Sequence, residues 1–249
     1  MTPEVTLWHL PVSHYSEKVR WALRFKGIEH RRRAGLPGGH IPVALWLTRG
    51  RHATFPVIEI DGRAIGDSTP IIAALEEAFP SPPLYPADPD ERRRALELED
   101  YFDEELGPSI RRAAFHALRQ DRSGFDALAA QSLPAPLDRI SRVTGAYGRA
   151  FTAVRFGAAQ AEPAREAREN VVRALDRLEA ELDGGEYLVG GRFTVADLTA
   201  ASLFYPLVLP PEGPIRVDVA LAALQELRAP LEGRPGYRWV LETYRRHRR

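Results

Sequence analysis

Residues 80–90 read PSPPLYPADPD, five prolines in eleven positions. Proline fixes φ and lacks a backbone N–H, so this stretch is neither a helix interior nor a central strand. It constrains the fold because the chain changes character across it. Before it, short apolar runs alternate with helical patterns; after it, every long segment repeats at helical spacing. The prolines therefore predict a semi-rigid linker over 81–90, joining a first domain over 1–80 to a second over 91–249. A chain of 249 residues fits two modest domains better than one.

Within the first part, VTLWHL (5–10) reads as a strand. SEKVRWALRFKG (16–27) reads as a helix with Val19, Ala22 and Leu23 on one face and Gly27 as its stop. EHRRRA suits an edge strand, and a helical stretch follows near 40–49. FPVIEIDGRAI (55–65) places two β-rich runs around Asp61-Gly62, a hairpin signal. Asp67, Ser68 and Pro70 then mark a helix start. The order β-α-β-α-β-β-α predicts a mixed sheet with a right-handed crossover. Beyond the linker, helices are predicted at about 89–119, 162–183, 194–204 and 236–246, with broken helices over 120–161.

The 34 basic and 34 acidic residues cancel, which removes the field that draws proteins onto nucleic acid or anionic lipid. A small-molecule or protein partner is expected instead. The run Arg245, Arg246, His247, Arg248, Arg249 is expected to be a solvated tail. Lys18 and Lys26 are the only lysines, a bias read as genomic coding preference. With no cysteine, the chain has no disulfide, no thiolate metal site and no protein thiol for catalysis. Any sulfur chemistry must use a sulfur supplied by a ligand. No metal is expected, and the absence of a basic-then-apolar leader or a long apolar span predicts a cytoplasmic protein.

Three local patterns carry chemistry. Ser13 and Ser16 stand at the entrance to the first helix, where a hydroxyl either caps the helix or donates to a bound anion. Asp67-Ser68 opens another helix, whose N–H groups and dipole attract a carboxylate while Asp67 can pair an ammonium; the plain alternative is an N-cap. Pro56 begins an apolar strand, where a ladder donor is missed.

In order, SHYSEKVRWAL, TFPVIEIDG, GDSTPIIAALEE and FTVADL, with the linker among them, resemble the cytosolic glutathione S-transferase superfamily. The stretch ATFPVIEIDGRAIGDSTPIIAALEE followed by PPLYPADPDERR is similar to its serine-type theta and zeta classes. The resemblance implies a thioredoxin-like α/β N-terminal domain that binds glutathione, an all-α C-terminal domain, and a homodimer. It implies that Ser13 stabilises the glutathione thiolate, with Ser16 as helix cap and Tyr15 as a pocket wall or reserve donor. His9 is an alternative donor. A cis Phe55-Pro56 bond would offer the Phe55 backbone to the tripeptide, and Asp67 and Ser68 would hold its γ-glutamyl head. His40 would take the glycine carboxylate, with His52 or Arg51 as substitutes. Thr194 and Asp197 form a capping box, structural rather than catalytic. The implied activity is conjugation of glutathione to a small apolar electrophile. Two alternatives are a noncatalytic binding or assembly protein and a zeta-like isomerase. Residues 120–161 match no class of the family.

Overall fold

The computed structural model describes residues 3–36, 38–132, 141–215 and 221–248. Its first part is a four-stranded sheet of β1 (Val5–His9), β2 (Arg31–Ala34), β3 (Val57–Ile60) and β4 (Arg63–Gly66), ordered β2-β1-β3-β4. Strand β1 pairs parallel to β2 (Leu7 opposite Arg32) and antiparallel to β3 (Leu7 opposite Ile58). The chain crosses from β1 to β2 through α1 (His14–Phe25); α2 (His40–Leu47) and α3 (Ser68–Ala78) complete a thioredoxin-like domain. Asp61 (φ 49°) and Gly62 (φ 79°) both take positive φ, as a two-residue hairpin loop between twisted strands requires. All four residues of β2 are exposed, and arginines on such an edge discourage pairing with another chain.

Helix α4 (Pro89–Tyr101) starts where Asp88 accepts from the N–H groups of Asp90 and Glu91. A widened π turn, Phe102–Leu106, carries the chain into α5 (Gly107–Gln120), so the segment expected at 89–119 is one long helix with a bulge. Then come α6 (Arg122–Ser132), α7 (Ser141–Phe156), α8 (Ala161–Leu182), α9 (Val195–Val208), α10 (Leu221–Arg228) and α11 (Pro235–His247). The broken helices expected over 120–161 are, among the described residues, two separate helices, α6 and α7 of 11 and 16 residues, each unbroken through its own glycines. Their glycines allow close approach instead of marking breaks. A Cβ on Gly148 would stand 2.9 Å from the Phe125 ring.

Helix α9 runs through the core, with every residue buried except Pro206. Thr194 caps it and Asp197 closes the box on the Thr194 N–H at 2.8 Å, while also accepting from the Leu188 N–H at 2.8 Å. The two parts share one apolar cluster. Trp21 of α1 packs 4.4 Å from Tyr244 and donates to the His247 carbonyl. Tyr205 of α9 donates to the Val12 carbonyl.

One reading of the basic residues is corrected. Arg249 lies outside the described residues, and the rest of the terminal run is not a free tail: α11 reaches His247, Arg246 pairs with Glu186, and Arg248 pairs with buried Glu17 at 2.6 Å. The two lysines are structural. Lys26 reaches Glu76 (2.7 Å) and the carbonyls of Phe79 (2.8 Å) and Pro82 (2.9 Å). Lys18 reaches Glu99 (2.9 Å), Asp103 (2.8 Å) and Thr69 (3.0 Å). Each ammonium meets three acceptors around a point, a geometry that suits lysine and not a planar guanidinium. Among the described residues, no helix is long and apolar enough to cross a membrane.

Candidate active site

A cavity of about 610 Å³ opens between the two domains. The first domain supplies its floor from three loops: residues 10–15, residues 52–56, and Asp67-Ser68. The second supplies a wall from α5, α6 and α7.

Ser13 lies where β1 hands over to α1. Its backbone is extended (φ −75°, ψ 128°), and its Oγ accepts from the Ser16 N–H at 3.3 Å, so Ser13 is the helix cap. The expectation that Ser16 caps is corrected: Ser16 is fully buried two residues inside the helix, its Oγ accepting from the Leu10 N–H at 3.2 Å. The physical reason is where the extended backbone ends, which two serines at that spacing leave ambiguous. A hydroxyl that accepts through a lone pair keeps its hydrogen, so the capping Ser13 retains a donor at the cavity.

The alternatives to Ser13 are differently placed. Tyr15 lines the cavity, but its hydroxyl donates to the Asp103 carbonyl at 2.9 Å and fills the space that Gly107 leaves for want of a side chain. Burial, then the Asp103 charge, hold its phenol well above its ordinary value. His9 lies outside the cavity lining and meets Arg20 Nη1 through Nδ1 at 2.9 Å. Burial and the Arg20 charge push its imidazole down to about 4, leaving it neutral at physiological pH.

The remaining sequence candidates, except Arg51, line one side of the cavity. The Phe55-Pro56 peptide is cis, and among the described residues no group accepts from the Phe55 N–H. Asp67 adopts φ 74° and ψ 136°, unusual for a residue with a side chain and of the kind that persists where surrounding structure enforces it. Its carboxylate does not cap α3 and bonds to no described residue. Beside it, buried Ser68 donates to Asp103 Oδ1 at 3.4 Å, and that same oxygen accepts from Lys18. A free carboxylate next to the open N–H groups of a helix start can hold both charges of an amino-acid head group.

His40 is buried, its ring 5.6 Å from Phe55. Its Nδ1 lies 3.1 Å from the Gly38 backbone nitrogen and 3.2 Å from the Leu36 carbonyl oxygen. Burial lowers its pKa from the ordinary histidine value. His52 also lines the cavity, packed against Gly66; Arg51 does not.

The sequence reading expected the second domain to hold the electrophile but named none of its residues. Asp103 lies in the π turn, Arg111 and Phe115 share a face of α5, and Phe125, Phe151 and Phe156 come from α6 and α7. The four-residue spacing of Arg111 and Phe115 was a usable signal; the convergence of three helices was not. His14, sealed at the cavity base with Nε2 unpartnered, is pushed down to about 3 by burial and then by the Arg111 charge.

Residues 7–83 match the family described as glutathione S-transferase, N-terminal domain, and residues 122–238 the corresponding C-terminal domain. A curated relative, a probable glutathione S-transferase of Solanum tuberosum, is 30% identical over 112 residues, 45% of this chain; the match spans about half (51%) of that relative's length. Among solved structures, a glutathione S-transferase from Rhodospirillum rubrum F11 superposes with TM-score 0.57 at 22% identity, covering 95% of this chain and 91% of its own. The beta-etherase LigF from Sphingobium sp. strain SYK-6 gives 0.59 at 20%, covering 97% and 99%. A glutathione S-transferase from Methylobacterium radiotolerans in complex with glutathione sulfonate gives 0.56 at 23%, covering 96% and 94%.

Proposed function

Because the chain belongs to the glutathione S-transferase family, we propose that it binds glutathione along the first-domain side of the cavity and joins its sulfur to a small apolar electrophile. The observation that carries this reading is the Ser13 hydroxyl, which caps α1 through its oxygen and keeps its hydrogen for an acceptor at the cavity. It supports a serine-type transferase of theta- or zeta-like character. A thiol with a pKa near 8.5 is mostly protonated at neutral pH, and a hydroxyl donor at a helix N-terminus favours the thiolate. Asp67 would take the γ-glutamyl ammonium, Ser68 and the first N–H groups of α3 its carboxylate, Phe55 the peptide backbone, and His40 the glycine carboxylate. The thiol proton passes to solvent. The thiolate sulfur then bonds the electrophilic carbon, and the leaving group departs with its bonding pair.

Residues 1–80 would thus serve glutathione and 91–249 the second substrate, joined through the prolines of 81–90. A solved family member carries glutathione sulfonate, which supports glutathione over another thiol. The family also suggests a two-fold homodimer; a sedimentation mass near one chain at micromolar concentration would contradict it.

The test is calorimetric titration with glutathione, together with product analysis on a panel of aryl halides, epoxides and isothiocyanates. Saturable binding and glutathione adducts are expected. Absence of binding at millimolar glutathione overturns the proposal, and binding without turnover on any electrophile favours a noncatalytic module.

A further inference from the structure

Arg111 is the one arginine or lysine among the described residues lining the cavity. Its guanidinium carbon lies 4.3 Å from the ring centre of Phe156 and 5.8 Å from that of Tyr15. Its Nε is sealed from solvent without a hydrogen-bond partner. No described carboxylate comes within ion-pairing distance, and its charged neighbours are Arg155 and Arg112, which share its sign. Arg112 is occupied elsewhere, donating to the Phe156 carbonyl at 3.0 Å. The contrast with the other buried cations is sharp: Lys18, Lys26 and Arg20 each meet a carboxylate within 3 Å.

A half-buried guanidinium among aromatic rings and like charges is costly unless an anion completes it. The surroundings also define the body of that anion. Phe115 and Phe156 lie parallel at 5.8 Å, and Phe151 stands edge-on to Phe156 at 6.1 Å. These flat faces border the cation on the second-domain side of the cavity.

We propose that the second substrate is an aromatic acid: its ring packs among Phe115, Phe151 and Phe156, and its carboxylate pairs with the outward nitrogens of Arg111. This deepens the transferase reading and rests on it for the reaction, though not for the binding. A guanidinium offers parallel N–H donors that match a carboxylate in a bidentate pair. The charge thereby selects the substrate and fixes which ring edge faces the sulfur.

The probes are 4-chloro-3-nitrobenzoate and 4-chloro-3-nitrobenzamide, of nearly the same shape but different charge. In the reaction, the glutathione sulfur bonds the ring carbon that carries chlorine, chloride leaves with the bonding pair, and the thiol proton goes to solvent. In the first arm, the benzoate is titrated calorimetrically without glutathione. The parent protein should bind it more tightly than the benzamide, and Arg111→Leu should weaken benzoate binding about 10- to 100-fold, with Arg111→Lys in between. In the second arm, Arg111→Leu should lower kcat/KM for the benzoate, mainly through KM, at least tenfold more than for the benzamide. The parent's own preference for the acid needs no variant and so survives any folding defect. Equal binding of acid and amide by the parent overturns the proposal. So does an equal loss on both probes, or a matching loss of glutathione affinity in Arg111→Leu, which would assign Arg111 to glutathione. Because the first arm contains no thiol, a failed glutathione titration would overturn the transferase reading while leaving this result standing.

Discussion

Ser13 and Asp67 illustrate how much one side chain decides. Ser13 uses its oxygen for the helix and keeps its hydrogen for the site, so the two roles that its sequence position left as alternatives are compatible. Ser13→Ala should raise the pKa of bound glutathione by about one to two units, since a hydrogen bond to a charged group contributes about 1.5 to 3 kcal/mol. Turnover at neutral pH should fall about 10- to 100-fold. The readout is thiolate absorbance in the ultraviolet, titrated with pH. An unmoved titration, paired with a shift in Tyr15→Phe, would reassign the donor. Asp67→Asn should instead weaken glutathione binding about tenfold or more and leave the thiol pKa alone, because the lost charge faces the ammonium and not the sulfur. Calorimetry on both variants separates the two effects. At this scale, Ser13, Phe55, Asp67, Ser68 and His40 were named from short local patterns and the resemblance they carry, and all five line the cavity. Asp103 and Arg111 were not legible, since a charged residue inside an amphipathic helix looks the same whether it faces water or a cavity.

Helix α9 shows the same logic over an element. Thr194 and Asp197 were legible as a capping box from spacing alone, and the structure has both reciprocal bonds. Thr194→Ala should cost about 0.5 to 2 kcal/mol of stability by denaturant titration. Asp197 adds a pH dependence. Burial pushes its carboxyl up to about 6 against the bonds it accepts from Leu188 and Thr194. Relative to an unfolded value near 4, the folded state therefore holds the proton more tightly. The contribution is full below about pH 4 and is lost as pH rises through 6, amounting to about 2 to 3 kcal/mol. Urea unfolding at a series of pH values should show the stability of the parent relative to Asp197→Asn falling by that amount between pH 4 and 7; a flat or rising difference would contradict the assignment. The helices α6 and α7 were read less well. Glycine signals a break locally, whereas here Gly148 lets Phe125 approach.

Over the whole molecule, Lys18 joins the two domains. It sits in α1 and pairs with Glu99 of α4 and Asp103 of the π turn. Burial opposes its charge, but the two carboxylates outweigh that and hold its ammonium above the ordinary lysine value. Lys18→Met would strand Glu99, whose side chain is fully buried, and should cost about 3 to 5 kcal/mol. Adding Glu99→Leu should recover much of this, because it removes the uncompensated charge. Since α1, α9 and α11 share one core around Trp21, unfolding followed by tryptophan fluorescence and by circular dichroism should coincide in a single transition. Separate transitions would show that the domains are not coupled as described.

The sequence by itself determined the strand and helix order of the first domain, the hairpin at Asp61-Gly62 and the cap of α9. Each depends on residues within a few positions of one another, whose φ, ψ and hydrogen-bonding preferences are local. Tertiary structure alone decided which hydroxyl caps α1, why the two lysines are buried, how the C-terminal arginines are tied to Glu17 and Glu186, and what forms the second wall of the cavity. Those outcomes turn on side chains distant in sequence meeting in space, as Lys18 meets Glu99 and Arg111 meets Phe156. Whether a charge is satisfied or left open is settled only by the packing that surrounds it.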